Sequence, residues 1–502
     1  MNQPEAEQTD IPVSDDIKNL RKKTIKGVIW TLTEMLGNHG ISFVVMIYLA
    51  RLLSPADYGL IGIATAFFAI AWVIIDGGFR VTLIRKKSVS PTDYNTIFYT
   101  NLAVSVIVYA VIYFLIAPFT AKFYKEPVLA DLIRILGLTF IFGAVSIIQD
   151  VDMRRKMNFR SLAFITIPAG AVSGVTAILL AYNGFGVLSL AIKIPLHYLL
   201  MMLLYWCLNS WRPKLEFCIK SFKELFGSGF KYTVSSFLYA LYYNINPMVI
   251  GKIFSAQTLG FYTFTEKIIM LSCHDVLRAV EKVSLSAFSK IQDDAARLLY
   301  GYKQLLKNTT ALIFPLMVIL AVMAEPLFTL FLGVKWLPAI PYLRILCVIS
   351  VLQPLCLVNM NIIMIKGTPG LFSKINIFSI LSLVTLLFIL IRFGIEVFLT
   401  GHLFHTAVMI FIANFFSSRF VAYPVWAQVR DITPIALSAA VMGAALYFFM
   451  TLFENINLLQ TGYLLTAAAA VYVFALWIMR VDIVTKLFSA AVSKLQARSL
   501  SQ

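Results

Sequence analysis

Fourteen stretches of about twenty mostly apolar residues run through this chain, each long enough to cross a bilayer as a helix. They are 28–50, 58–78, 95–117, 128–149, 161–182, 185–207, 229–251, 257–275, 305–325, 338–364, 371–391, 396–418, 434–453 and 461–479. Charged residues make up only 13% of the 502 positions, about half the share usual in a soluble domain. The pattern predicts an all-α integral membrane protein. The joins at 182–185 and 391–396 carry Asn183, Gly184, Gly394 and Glu396, which suit tight hairpins.

The 27 residues before the first span place Glu5, Glu7, Asp10, Asp15 and Asp16 ahead of the basic "KNLRKKTIK". No small-residue cleavage site follows a short apolar core, so the first span is expected to insert and stay. Five scattered cysteines show neither CxxC nor metal-ligand spacing. They predict no disulfide and no metal site.

The chain carries 42 Lys+Arg against 25 Asp+Glu. Sorted by the predicted spans, 31 basic residues fall on the N-terminal side and 6 on the other. The six are Arg51, Lys122, Lys125, Lys252, Lys335 and Arg392. Cationic loops stay in the cytoplasm, so both termini are expected there. The charge therefore records topology and an attraction to anionic phospholipids, with no call for nucleic acid. Every outer connection is short. The longest inner one, 276–304, is amphipathic and is expected to lie along the interface.

One loop occurs twice. "RLLSPADYG" at 51–59 aligns without a gap on "KIFSAQTLG" at 252–260, an offset of 201. Six spans separate the copies, so both face outward. The reading is two parallel repeats, as lobes around a cavity that opens to either side. The expected organisation is an N-terminal segment 1–27, an N-lobe 28–208 (spans 1–6) and a cytoplasmic linker 209–228. A C-lobe 229–425 (spans 7–12) follows, then 426–502 with spans 13 and 14 and a tail.

"ARLLSPADYGLIGIATAF…DGGFRVTLIRKK" at 50–87 resembles the N-terminal signature of the polysaccharide transport family, the Wzx-type flippases of the MOP superfamily. "AFSKIQDD" at 287–294 and "GVKWLPAIPYLRILCV" at 333–348 resemble its colanic-acid-exporter-like branch. Where the family typically reads D-x-G, this chain has Asp76-Gly77-Gly78. The resemblance implies a flippase of the bacterial inner membrane. It would move undecaprenyl-pyrophosphate-linked oligosaccharide to the outer leaflet by alternating access. Polymerase and export machinery of the same pathway would be its partners. The rival readings are a lipid II flippase, a cation-coupled small-molecule antiporter, and, further off, a polysaccharide polymerase or ligase. Short outer loops argue against the last.

Charge inside a span is costly, about 2.5–3.5 kcal/mol at the bilayer centre, so such residues mark candidate sites. In this superfamily the first two spans of each lobe line the cavity. That singles out Glu34 and His39 on span 1, Lys231 on span 7, and Glu266 and Lys267 on span 8. Glu266 and Lys267 are adjacent, hence about 100° apart on a helix, and cannot face one spot. Arg134, Lys193 and Arg344 near outer ends, Arg80 at an inner end, and Arg51 and Lys252 in the repeated loops form a second rank. For these a structural ion pair or a snorkelling side chain is the competing explanation. Asp57 is the acid that would close a gate with Arg51 and Lys252. His402 and His405 have i, i+3 spacing but no carboxylate beside them, which favours packing over metal.

No Walker motif or other catalytic constellation is present, so the chain reads as a transporter without a cofactor rather than an enzyme. Membrane potential, or an H+ or Na+ gradient carried by Glu34 or Glu266, is the expected energy source.

Overall fold

The computed structural model describes residues 15–453 and 456–481, and every element in them is helical. The first half of the expected N-terminal segment and the tail after 481 lie outside the described residues. Twelve helices have the length and apolarity to cross a membrane. The expected spans 7 and 8 are also helical but more polar.

The described chain divides into two compact units. One takes the chain up to Leu52 and Ala64–Asn244; the other takes Leu53–Ile63 and the chain from Ile245. The first unit holds α1 (Asp15–Leu52), most of α2 (Pro55–Asp76), α3 (Phe79–Arg85), α4 (Pro91–Val111) and α5 (Ala117–Tyr124). It continues with α6 (Val128–Arg155), α7 (Phe159–Tyr182), α8 (Val187–Leu208) and most of α9 (Ile219–Ile253). α1 packs on α7, and α6 on α4 and α8. Small residues let α1 and α7 approach. A Cβ on Gly37 would stand 3.0 Å from Ile167, and one on Gly174 only 2.5 Å from Val45. Membrane helices associate through such close packing because lipid supplies no hydrophobic drive between them.

The second unit holds the N-terminal part of α2, the end of α9, α10 (Ala256–Ile269) and α11 (Asp275–Ile291). After these come α12 (Ala295–Val322), α13 (Ala324–Leu327), α14 (Ile340–Lys366), α15 (Pro369–Leu390) and α16 (Ile395–Ser417). α17 (Val425–Thr451) and α18 (Leu458–Ile478) complete it. α17 packs on α12, and the α18 residue Tyr472 donates its hydroxyl to the Ala311 carbonyl of α12 at 2.9 Å. The hairpin turns fall where glycine allows positive φ, at Gly184 (83°) and Gly394 (118°).

Two expectations change. The stretch 276–304 is not a separate interfacial helix. α11 continues from α10 through a π-turn, Met270–His274, and packs on α12 and α14. Ser284 accepts a hydrogen bond from Asn361 at 2.9 Å, and Phe288 is buried. Its amphipathicity is thus spent on protein. The linker 209–228, expected only as a cytoplasmic connection, is also packed. Lys214 N donates to Asn95 Oδ1 and Cys218 N to Thr96 Oγ1, both at 3.1 Å, strapping it to α4. From Ile219 it is already α9.

The repeat is visible in geometry. Ser54 and Asp57 cap α2: Ser54 N and Oγ both donate to the Asp57 carboxylate, at 2.8 and 2.7 Å. At the offset of 201, Ser255 caps α10 by accepting from Thr258 N at 3.2 Å. The two loops cross at their equivalent glycines. A Cβ on Gly59 would lie 1.8 Å from the Ala256 carbonyl oxygen, and one on Gly260 1.7 Å from that of Pro55. Thr263 donates to the Tyr58 carbonyl, and Tyr58, Phe264 and Trp336 form a ring cluster with centroids 4.2–5.2 Å apart. Lys335 Nζ closes it on the Leu53 carbonyl at 2.7 Å. A π-turn interrupts the third span of the first repeat, at Ile112–Ile116, and another, Phe328–Leu332, follows α13 in the second.

Candidate functional site

In the first unit Arg80, Asp76, Asp150 and Arg154 form one ion-paired network. α6 runs past its expected end at 149, and the added turn brings Asp150 into the helix with its side chain 6% exposed. Arg80 NH1 donates to Asp150 at 2.9 Å and Arg80 Nε to Asp76 at 3.3 Å. Arg154 Nε donates to the same Asp150 at 2.9 Å, as does the Tyr205 hydroxyl. Burial works against charge on Arg80, but Asp150 and Asp76 outweigh it and hold the guanidinium protonated. The signal for this network was the i, i+4 spacing of Asp76–Arg80, Asp150–Arg154 and Asp152–Lys156. It shows pairs within a helix but not the bridge from Arg80 to Asp150.

In the basic cluster after Arg80, Lys86 is likewise engaged. Lys86 bonds Asp93 at 3.1 Å and Glu224 at 3.2 Å. Partial burial disfavours its charge, and these two carboxylates outweigh that and raise its pKa. Arg155 donates to the carbonyls of Leu83, Ile84, Lys86 and Lys87, capping the end of α3. Glu34 accepts from Thr166 at 3.3 Å, and Asn38 donates to Thr166 at 3.1 Å, joining α1 to α7. His39 is half-buried on α1 and Lys193 half-buried on α8. Arg134 lies 4.6 Å over the Tyr113 ring and 3.5 Å from Asp131. Arg51 ends α1 and is exposed. Asp57, its expected gate partner, spends its carboxylate on the α2 cap.

The second unit is different. Glu266 and Lys267 diverge on α10, Glu266 half-buried and Lys267 exposed. Glu266 accepts from the Tyr262 hydroxyl at 3.3 Å, which accepts in turn from Asn246 at 3.3 Å. Neither residue forms an ion pair among the described residues, and Lys267 has no hydrogen bond there. Arg344 is exposed and donates to the Ala321 carbonyl at 3.3 Å. Lys252 ends α9, exposed. Lys231 belongs to the first unit, and its side chain lies outside what is described. His405 shares a hydrogen bond with Ser382 at 2.8 Å, and among the described residues no three His, Cys, Asp or Glu are placed to hold a metal ion.

A buried polar hub was not legible in the sequence. Asn359 Oδ1 accepts from Tyr302 Oη at 2.7 Å, Asn414 at 3.0 Å, Gln428 at 3.2 Å and Ser417. It ties α12, α14, α16 and α17 together. Each partner is unremarkable in its own span.

The family model for polysaccharide biosynthesis proteins matches residues 48–341. The chain is 26% identical over 366 residues to the lipopolysaccharide biosynthesis protein WzxC of Escherichia coli K12, covering 72% of this chain and 73% of that one. It is 24% identical over 355 residues to the teichuronic acid biosynthesis protein TuaB of Bacillus subtilis, covering 70% and 73%. Among solved structures, the lipid II flippase MurJ in an inward closed conformation superposes with a TM-score of 0.72 at 17% identity, over 92% of this chain and 100% of that one. That likeness is one of fold.

Proposed function

Because this chain belongs to the polysaccharide biosynthesis protein family, we propose that it moves an undecaprenyl-pyrophosphate-linked oligosaccharide from the inner to the outer leaflet of the bacterial cytoplasmic membrane by alternating access. The observation that carries the reading is the family match across 48–341, and Lys267 gives it a residue. A lysine held in a span without an acidic partner is expensive unless it meets water or an anion. A pyrophosphate supplies that anion, and the attraction is stronger in low dielectric than in bulk water. Lys231, on α9, is the second candidate cation. The two relatives serve different polymers, so the glycan is left unnamed.

Two phosphate charges leaving a negative-inside cell gain about 2.3 kcal/mol each per 100 mV. Glu266, a half-buried carboxylate with a tyrosine hydroxyl on it and no ion pair among the described residues, is the candidate carrier of an entering H+ or Na+. Glu34 is the second. Anionic phospholipids bind the cationic inner loops, and the polymerase and export machinery receive the product.

The test measures export and folded protein together. Lys267→Ala and Lys231→Ala should cut leaflet transfer of the lipid-linked repeat unit while membrane abundance stays unchanged, and Lys→Arg should retain more transfer. Wild-type export by the double Lys→Ala variant would end the assignment.

A further inference from the structure

We infer that a cavity at the inner end of the α15–α16 hairpin holds the phosphate headgroup of an anionic phospholipid, whose acyl chains run down the exposed faces of the two helices. Such a site goes beyond the transport reading, which assigns anionic lipid only to the inner loops as a whole. The cavity measures about 330 Å³ and lies within the second unit. Thr368, Gly370 and Lys374 line it from α15 and its cap, and Phe416, Arg419 and Phe420 from the end of α16. The charge asymmetry of the loops puts this end of the hairpin on the cytoplasmic side.

Two cations converge on one space without an acid. Lys374 and Arg419 are exposed, and among the described residues neither side chain forms an ion pair or a hydrogen bond. From Lys366 to Phe420 the one acid is Glu396, which stands in the first turn of α16, about 30 Å of helix away. The Arg419 guanidinium carbon lies 4.5 Å over the Phe415 ring and 5.4 Å from that of Phe416. Ring faces hold a guanidinium in place and leave its N–H donors unspent. A snorkelling cation needs water alone. A pair set around a cavity suits an anion, with arginine as the fork and lysine as a point charge on the same phosphate.

The surfaces below the cavity indicate that the anion belongs to a lipid. On α15, Lys374 shares one face with Ile377, Phe378, Leu381 and Phe388, which are 51–61% exposed. On α16, Phe415, Phe411, Val408 and Phe404 descend one face from Arg419, 37–72% exposed. The two helices pack together, and Ser382 meets His405 between them at 2.8 Å. From Lys374 to Phe388 the helix rises about 21 Å, more than the roughly 15 Å of one leaflet's hydrocarbon. Each cation thus heads an apolar track of acyl-chain length. A free phosphate would use the cations and leave the tracks and the Phe416 and Phe420 walls without a role. Basic pockets between helices at the cytoplasmic surface are where anionic headgroups bind.

The experiment places the full-length protein in phosphatidylcholine nanodiscs containing a trace of phosphatidylglycerol with a photoactivatable diazirine on one acyl chain. Mass spectrometry of the digested protein reads labelling of the peptides between Lys366 and Phe420. Phosphatidylglycerol should label them roughly fivefold more than a diazirine phosphatidylcholine. Unlabelled phosphatidylglycerol should compete and inorganic phosphate should not. Lys374→Ala with Arg419→Ala should abolish the preference. Gly370→Leu should abolish it too while keeping both cations, because a Cβ there meets nothing within 4 Å and a larger side chain can grow into the cavity. Lys87→Ala with Lys290→Ala, an equal loss of exposed charge elsewhere, should leave it intact. Gel filtration before reconstitution confirms folding, and Gly370→Leu decides the matter if the Lys374–Arg419 pair does not fold. Equal labelling by the two lipids, a wild-type preference in Gly370→Leu, or the same loss in the Lys87–Lys290 pair overturns the site, and competition by inorganic phosphate overturns the lipid as its source. Leaflet transfer of the lipid-linked repeat unit is measured separately. Wild-type protein that shows the preference but moves no such lipid keeps the site and loses the transport reading, and protein that moves it without the preference does the reverse.

Discussion

Replacing Gly59 or Gly260 by alanine tests whether the repeated loops are one structural joint. At Gly59 the added methyl would stand 1.8 Å from the Ala256 carbonyl oxygen and 2.7 Å from its carbon; at Gly260 it would stand 1.7 Å from the Pro55 oxygen. Both obstacles are backbone, so no side chain can swing aside. Relief requires the N-terminal ends of α2 and α10 to separate by more than an ångström. That would strain the Lys335–Leu53 hydrogen bond of 2.7 Å and the ring cluster around the buried Trp336. Overpacking a close-fitted contact costs about 1–3 kcal/mol, and two rigid backbones place this one at the upper end. Each alanine should therefore destabilise the second unit by about 3 kcal/mol. The pair should cost less than the sum, because helices parted for one methyl have already made room for the other. A double-mutant cycle should show a coupling of about 1 kcal/mol or more. Equilibrium unfolding of the purified protein in mixed micelles reads all four corners. Two neutral alanines, or two costs that add to within about 0.5 kcal/mol, would refute a shared crossing.

Asp150→Ala strips the carboxylate that Arg80, Arg154 and Tyr205 share and should destabilise by about 3 kcal/mol, the low end for a broken buried pair since both arginines are partly exposed. Adding Arg154→Met should recover part of that loss in the same unfolding assay. Asn359→Leu removes the acceptor of four donors and should cost about 3 kcal/mol or more, seen as a lower unfolding midpoint, whereas Val358→Ile beside it should cost less than half as much. The charge asymmetry predicts that, in a cysteine-free background, cysteine at Lys122 labels with an impermeant maleimide in intact cells and cysteine at Lys87 or Lys290 does not. Labelling of the last two would reverse the orientation.

That this is a helical membrane protein was legible in the chain alone, since a run of apolar residues can cross lipid only by closing its backbone hydrogen bonds within one helix. The chain also carried the repeat. The 201 offset pairs Ser54 with Ser255 and Gly59 with Gly260, and local chemistry makes the same cap in both places. The family signature at 50–87 was legible because it is contiguous. Tertiary structure decided which charges are partnered. Arg80, Lys86 and Lys267 look alike as cations near apolar runs, yet Arg80 meets Asp150 seventy residues on, Lys86 meets Asp93 and Glu224, and Lys267 meets no acid among the described residues. Helix ends mattered as much: one further turn of α6 moved Asp150 from a presumed loop into a buried position, and α11 turned out to be a packed continuation of α10. Periodicity reports which face of a helix is apolar. It carries no record of which other helix, brought alongside from many residues away, will present the opposite charge, the carbonyl, or the missing Cβ.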